Sequence, residues 1–277
     1  MKVVVFDLDE TLGYFTQLGS LWNSLLFSSD RDFEDPKTFE ALLDLYPEYL
    51  RPNILQILHY LNEKKKQSHL HQILLYTNNQ GPKAWAQALT KYFETKLQSG
   101  LFDKLIAAFK VNGQQVELGR TTHEKTYEDL IRCTQLPRNT EFFFLDDVYH
   151  PQMCHDNVYY INIQPYVHML PVEELVNRFS NSLLGKAYFQ KYGTENPTKL
   201  RDTVAKMEWK TQKKNPDESI VDTILSKKIL EHLQTFFEWN HQEKEKEKEK
   251  FRPGPKNTLK RKRKKEKASR SRRFFDS

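Results

Sequence analysis

The sequence has little cysteine and no long apolar run. Its two cysteines, Cys133 and Cys154, form neither a CxxC pair nor a metal-ligand set with histidines, which excludes a disulfide scaffold and a thiolate metal site. No apolar stretch approaches the roughly 18 residues that a membrane helix needs. The N-terminus enters a strand at once and shows no signal-peptide pattern. We therefore predict an intracellular protein with two free thiols and no membrane partner.

Most of the chain also lacks a basic excess. Residues 251–277 hold 12 Lys/Arg against 2 Asp/Glu, so residues 1–250 hold 31 against 35. The net charge of +6 is therefore a property of the tail. We predict a charged, basic, disordered tail over residues 243–277. Its "KRKRKK" run predicts binding to an import receptor or to nucleic acid. We therefore predict that the protein is nuclear, with the cytoplasm as the alternative location.

Apolar runs alternate with helical patterns over residues 1–180, which predicts one α/β domain with a parallel sheet. A hairpin is expected at Asn112-Gly113, and helices are expected at about 82–98 and 125–136. The predicted strands are five buried runs, at residues 2–7, 71–77, 102–109, 141–147 and 157–163.

Two further segments interrupt or follow this pattern. Residues 13–50 are predicted to be a small insertion after the first strand, with a polar middle and a short helix near Phe39. Residues 181–242 are predicted to be a helical extension. The helical pattern of residues 171–192 leads into it, residues 193–218 are polar and loop-like, and an amphipathic helix follows over 219–240.

Three of the predicted strands end in polar side chains: Asp7, Thr77 and the pair Asp146-Asp147. The carboxyl ends of parallel strands meet at one edge of a sheet, where such folds bind ligands. Carboxylates placed close together cost free energy unless a cation or a reaction uses them. Mg²⁺ prefers carboxylate oxygens. Asp7 and Asp146 are therefore candidate Mg²⁺ ligands, with Asp147 as a further one.

The same edge has the residue types that phosphoryl transfer requires. Asp7 is a candidate nucleophile that would form an aspartyl phosphate, and Asp9 could protonate the leaving oxygen and then activate water. Thr77 supplies a hydroxyl, and the backbone N–H groups that follow it, beginning with Asn78, can bind phosphate oxygens. Lys125 is the candidate cation for the transferring phosphoryl group.

Lys125 is chosen because it lies just before the helix that leads to the fourth strand, although Lys104 and Lys110 are alternatives. His150 and His155 are interpreted as loop histidines without a catalytic role.

Four segments in this order resemble the motifs of the haloacid dehalogenase superfamily. "FDLDETLG" resembles its DxDx[TV] motif, "LLYTNN" its second, "HEKTYEDL" its third and "FFFLDD" its fourth. They are separated by 70 residues from Asp7 to Thr77, 48 to Lys125 and 21 to Asp146. The resemblance covers about residues 2–170. It implies a Rossmann-like fold with a central parallel sheet and phosphatase chemistry.

Within that superfamily, "DLDETL", the "LRP" at residues 50–52 and "LDDVYHPQMCHDNVYYI" resemble the NLI-interacting-factor-like phosphatases, which include phosphatases of the RNA polymerase II C-terminal domain. The resemblance implies Asp7 as nucleophile and Asp9 as acid/base. It also implies Mg²⁺ ligands at Asp7, the Asp9 backbone carbonyl and Asp146. The chain departs from the family in its longer, more helical insertion and in a second motif without the usual alanine.

The predicted function is therefore a Mg²⁺-dependent phosphatase acting through an aspartyl phosphate. The open site, with no long segment between Thr77 and Lys125, favours a phosphorylated protein as substrate. Two alternatives remain. One is a polynucleotide 3′-phosphatase, which a basic tail would suit. The other is a non-catalytic interaction protein whose tail binds nucleic acid.

Overall fold

The computed structural model describes residues 1–29, 35–192, 197–205 and 215–239. The charged tail predicted from residue 243 onward lies outside the described residues, as does half of the predicted 193–218 loop. The part from Met1 to Trp239 is one compact unit. None of the helices in the described part of the chain combines the length and hydropathy needed to cross a membrane.

A five-stranded parallel sheet forms the centre of the molecule, which confirms the predicted α/β class. Its strand order is β3-β2-β1-β6-β7. A separate antiparallel hairpin, β4 with β5, turns through Asn112 and Gly113, both at positive φ (50° and 79°). The strands are β1 (Lys2–Phe6), β2 (Gln72–Tyr76), β3 (Lys104–Ile106), β4 (Lys110–Val111), β5 (Gln114–Gln115), β6 (Glu141–Asp146) and β7 (Val158–Asn162).

The run of apolar residues in β1 is explained by its central position. Val4 and Phe6 belong to the hydrophobic cluster on one face of the sheet, and Val3 and Val5 to the cluster on the other. All four side chains are fully buried. Complete burial stabilises each such side chain by about 1.5–3 kcal/mol, and a strand covered on both faces has no place for alternating polar residues.

Helices cover the sheet, and the insertion contributes two of them rather than the single short helix expected. Residues 30–34, within its predicted polar middle, lie outside the described part. The helices are α1 (Thr16–Ser28), α2 (Pro36–Asp44), α3 (Ile54–Lys66), α4 (Lys83–Leu97), α5 (Tyr127–Thr134), α6 (Val172–Asn181), α7 (Leu183–Tyr192), α8 (Pro197–Ala205) and α9 (Pro216–Glu238). Short 3-10 turns occur at Pro47–Tyr49 and Pro151–Met153.

The insertion has a narrow neck where the chain leaves and re-enters the sheet layer. Gly13 bridges Leu50, and the Tyr14 N–H donates to the carbonyl of Tyr49 at 2.7 Å. A Cβ at Gly13 would lie 2.5 Å from the Tyr49 carbonyl oxygen and from the Phe15 ring, so only glycine fits. The neck fixes where the insertion sits relative to the end of β1.

Two expectations for the C-terminal part were wrong. The helix expected over 171–192 is broken at Ser182, whose backbone is extended and whose hydroxyl accepts a hydrogen bond from Gly185 N–H. The break lets α7 approach α6 so closely that a Cβ at Gly185 would overlap the Phe179 carbonyl. Part of the predicted loop is helical, as α8. Helix α9 starts at Pro216, where Asn215 and Glu218 form a capping box.

Helix α9 packs on the same core as the sheet. Leu233 and Phe236 are fully buried. The Phe236 ring lies 5.6 Å from Phe143 of β6 and 6.1 Å from Tyr159 of β7, centroid to centroid. The ammonium of Lys2 donates to the carbonyl of Phe236 at 2.7 Å. The helical extension therefore covers one face of the sheet as part of the same hydrophobic core.

Candidate active site

The polar ends of the strands meet at the carboxyl edge of the sheet. Phe6 pairs with Leu145, so the next residues, Asp7 and Asp146, lie side by side. The Asp7 N–H donates to the carbonyl of Leu145 at 2.9 Å, and the Thr77 N–H donates to that of Ile106 at 3.0 Å. Asp7, Thr77 and Asp146 are all buried. Because each of these apolar strands is followed by a polar residue, the polar side chains share one pocket at the sheet edge.

Three carboxylates and one lysine form the centre of the pocket. Oxygens of Asp7, Asp146 and Asp147 all lie within 4.8 Å of one another. The ammonium of Lys125, which is 1% exposed, donates to Asp7 Oδ1 at 2.5 Å and to Asp146 Oδ2 at 2.7 Å. The structure therefore brings the lysine that the sequence favoured into direct contact with two of the predicted aspartates.

Burial and charge move the pKa values of these groups in different directions. Burial, reinforced by Asp146 and opposed by Lys125, raises the pKa of Asp7 to about 7. Burial would also raise the pKa of Asp146, but Lys125 and His150 outweigh it and hold that pKa below its ordinary value. Burial likewise disfavours the charged form of Lys125, yet the two aspartates keep its pKa above its ordinary value. The lysine therefore remains a cation.

Asp9 lies on the turn that follows β1 and faces the end of β2. Its Oδ2 accepts a hydrogen bond from Asn79 Nδ2 at 2.7 Å, and the Asn79 N–H donates to Thr77 Oγ1 at 2.9 Å. Burial raises the pKa of Asp9 despite that bond from Asn79. Asn78, the predicted phosphate-binding position, is exposed beside this network. Asn79 is the neighbour that contacts a site residue, and two consecutive asparagines gave no sequence signal to separate them.

Asp147 lies at the border of the site and is linked to the turn after β1. Its Oδ1 accepts from the Thr11 hydroxyl at 3.2 Å, and its own N–H donates to Thr11 Oγ1 at 3.2 Å. Burial and the neighbouring Asp146 raise the pKa of Asp147. This carboxylate is half-buried, and it is the ligand candidate that solvent reaches most easily.

His150 is a buried member of the site that the sequence interpretation excluded. Its Nε2 lies 3.4 Å from Asp146 Oδ2, and its Nδ1 lies 3.2 Å from Glu124 Oε2. The His150 N–H donates to the Tyr160 hydroxyl at 2.7 Å, which fixes the loop after β6. The other excluded histidine, His155, stacks on the ring of Tyr127 at a centroid distance of 3.8 Å.

A buried arginine, Arg120, supports the side of the site that holds Thr77 and Lys125. Its Nη1 donates to the carbonyls of Thr77, at 3.2 Å, and Ala107, at 3.0 Å, and its Nη2 donates to that of His123 at 2.9 Å. It therefore ties the end of β2 to the segment that leads into Lys125. Nothing in the sequence distinguished it from surface arginines, because its partners are backbone carbonyls from separate segments.

A groove leads away from the site between the insertion and α4. It has a volume of about 1060 Å³. Three aromatic side chains line it. The Phe39 ring contacts the rings of Trp22 and Trp85 edge-to-face, at centroid distances of 5.2 Å and 5.4 Å. Asp9 and Asn79 lie at its inner end. The groove therefore opens onto the turn that carries Asp9.

The donor set fits a hard divalent cation. Lys125 contacts one oxygen each of Asp7 and Asp146, and the second oxygen of Asp146 accepts from the Val148 N–H at 2.9 Å. Each of these carboxylates and Asp147 can still offer one oxygen lone pair to an ion. Three neighbouring carboxylates, two of them buried, have an excess of negative charge over the single lysine, and oxygen ligands of this kind suit Mg²⁺. The cluster has the donors to hold a metal ion, and Mg²⁺ as its occupant stays a prediction.

Comparison of the chain with models of protein families, with curated proteins and with solved structures finds no match.

Proposed function

We propose that this protein is a Mg²⁺-dependent phosphatase that hydrolyses phosphomonoesters through an aspartyl phosphate on Asp7. The motif resemblance to the haloacid dehalogenase superfamily, and to its NLI-interacting-factor-like branch, agrees with this proposal. The observation that carries it is the contact of Lys125 with both Asp7 and Asp146 at the carboxyl edge of the sheet. A lysine beside a buried carboxylate nucleophile is what transfer of a phosphoryl group to that carboxylate needs.

In the first step a carboxylate oxygen of Asp7 attacks phosphorus, and the bond from phosphorus to the leaving oxygen breaks. Lys125 and the backbone N–H groups after Thr77 would hold the phosphoryl oxygens. When bound at Asp7, Asp146 and Asp147, Mg²⁺ would supply charge neutralisation for the phosphoryl group. The carboxylate of Asp7 must be ionised to attack, and Lys125 favours that form.

Asp9 would act first as the acid and then as the base. Its raised pKa favours a protonated carboxyl, and the bond from Asn79 engages Oδ2, so Oδ1 is the atom assigned to carry the proton. That proton passes to the leaving oxygen. Asp9 then removes a proton from water, which attacks the phosphorus of the acyl phosphate and regenerates Asp7. Phosphate leaves as the second product.

The charge of the groove supports a phosphorylated protein over a polynucleotide. Besides Asp9, which is protonated in the first step, its described lining residues include three carboxyl side chains and one lysine, namely Glu10, Asp35, Glu94 and Lys91. A polynucleotide would bring further phosphates against this acidic lining, which is electrostatically unfavourable. A peptide with apolar or basic residues beside the phosphate suits the aromatic and acidic walls.

The test measures phosphate release by the full chain in Mg²⁺, with three substrate classes in parallel: phosphopeptides, 3′-phosphorylated oligonucleotides and a small aryl phosphate. The proposal expects turnover of the aryl phosphate and faster turnover of at least one phosphopeptide than of any oligonucleotide. Preference for oligonucleotides would favour the polynucleotide phosphatase. Absence of turnover on every substrate would favour the non-catalytic alternative.

A further inference from the structure

Arg51, at the exit of the insertion, is a buried cation whose hydrogen bonds all go to backbone carbonyls. Only 1% of its surface is exposed. Its Nε donates to the carbonyl of Thr11 at 2.6 Å, and its Nη2 donates to those of Glu10, at 2.7 Å, and Gln164, at 3.0 Å. The guanidinium also lies 5.5 Å from the centre of the Tyr166 ring.

Two of these carbonyls, those of Glu10 and Thr11, belong to the turn that carries Asp9. Glu10 has a φ of 56°, which is unfavourable for a residue with a side chain. Its carbonyl accepts from both Arg51 and the Tyr166 N–H, the latter at 2.8 Å. The strained turn is therefore held from two sides, by the end of the insertion and by the segment after β7.

Stability alone explains this arginine poorly. Its Nη1 is buried without a hydrogen-bond partner among the described residues, and an unsatisfied buried N–H is costly. The carboxylate of Asp222 favours the charged guanidinium, but burial outweighs it and lowers the pKa of Arg51 to about 10. In the bonds described above the guanidinium donates to backbone carbonyls and to no side-chain carboxylate. An apolar side chain of similar volume would avoid the cost of burying a charge. What the arginine adds is a set of N–H donors that bind the carbonyls of the turn and fix its position.

We propose that Arg51 is a positioning residue that holds the Asp9 carboxyl in reach of the leaving-group oxygen, an inference that rests on the proposed phosphatase function. Its loss should then weaken proton donation rather than phosphate binding. Positioned acid/base catalysis contributes about 10²–10⁴-fold, and a good leaving group needs little of it. The effect of the arginine must therefore depend on the leaving group.

The experiment compares Arg51→Met and Arg51→Lys with the wild type on a series of phosphate esters, from activated aryl esters to an alkyl ester. We expect Arg51→Met to lower kcat at least about tenfold more for the alkyl ester than for the most activated ester. Arg51→Lys keeps the charge and should retain part of the activity on the alkyl ester. If Arg51→Met does not fold, the Lys variant alone must show the leaving-group dependence.

Arg178→Met provides the control, because Arg178 also donates to a backbone carbonyl, that of Leu45 at 3.0 Å, but contacts no residue of the site. Its effect should be the same for every ester. A uniform loss of activity in the Arg51 variants would overturn the proposal and assign Arg51 a structural role.

Amide hydrogen exchange over residues 8–12 separates this proposal from the proposed function. We expect exchange there to rise in the folded Arg51 variants and to stay unchanged in Arg178→Met. Unchanged exchange in the Arg51 variants would overturn the positioning role. Faster exchange in a chain whose wild type hydrolyses no ester would refute the phosphatase function and leave the contact of Arg51 with the turn intact.

Discussion

Replacement of Lys125 by methionine should destabilise the protein far more than removal of an exposed ion pair of similar length. Lys125 contacts Asp7 and Asp146, and all three side chains are almost completely buried. Removal of one member of a buried ion pair costs about 3–5 kcal/mol, because the remaining charges lose their compensation. Lys65 pairs with Asp103 at 2.7 Å near the surface, and there Lys65→Met should cost about 0–1 kcal/mol.

The loss in Lys125→Met should also grow with pH. The pKa of Asp7 is about 7 even with the lysine present, and without it that pKa must rise further. A carboxyl group whose pKa is higher in the folded than in the unfolded chain makes the folded chain bind more protons. Stability therefore falls as pH rises from about 4 through the folded pKa. The variant should differ from the wild type less at pH 5 than at pH 8.

Urea unfolding at both pH values, without Mg²⁺, measures these differences for the wild type, Lys125→Met, Lys65→Met and the double variant Lys125→Met/Asp7→Asn. The double variant should recover part of the loss at pH 8, because it has one buried carboxylate fewer. Equal costs for the two lysine variants would refute the argument. So would a cost in Lys125→Met that is the same at pH 5 and pH 8.

The remaining changes test catalysis, the groove and the thiols. Asp7→Asn should abolish turnover of an activated aryl phosphate while circular dichroism stays native, whereas Asp103→Asn should remain active. Turnover should require Mg²⁺, disappear in excess chelator and not return with Ca²⁺, whose longer bonds and larger ligand number would misplace Asp7. Ala84→Trp narrows the groove and should lower kcat/KM for phosphopeptides more than for a small aryl phosphate; Thr95→Trp, on the same helix outside the groove, should not. Alkylation should reach exposed Cys154 before Cys133, because burial raises the pKa of the Cys133 thiol to about 11.

The sheet and its acidic edge were predictable because their signals are local. A run such as Val3 to Phe6 has to be covered on both faces, and the acid that follows it has to lie at the strand end. The register between β1 and β6 then places Asp7 beside Asp146 without further information. Lys125 required more than its local sequence, namely its place just before the helix that leads to the fourth strand.

The supporting residues could not be predicted because their partners are distant in sequence. Arg51 contacts Gln164, 113 residues away, and Arg120 contacts Thr77, 43 residues away. Both bond to carbonyl groups that every residue possesses, so no side-chain pattern identifies the pairing. The break between α6 and α7 was missed for a related reason. Ser182 is compatible with a helix, and the close approach of Gly185 to Phe179 that the break permits has no signal in the sequence.

Removal of the basic tail should separate targeting from catalysis. Residues 251–277 have 12 Lys/Arg and 2 Asp/Glu, while the remainder of the chain has an acidic excess. Deletion after Lys250 should leave turnover of a small phosphate unchanged, because the groups of the proposed site all precede residue 200. Any nucleic-acid binding should weaken, and the steep salt dependence of that binding should disappear with the lysines and arginines. A polynucleotide phosphatase would instead lose efficiency on oligonucleotides at low salt and keep its activity on phosphopeptides. Fluorescent fusions of the full and truncated chains, compared in the same cells, test whether the tail directs the protein to the nucleus. If the truncated chain still concentrates in nuclei, the "KRKRKK" run is not the import signal.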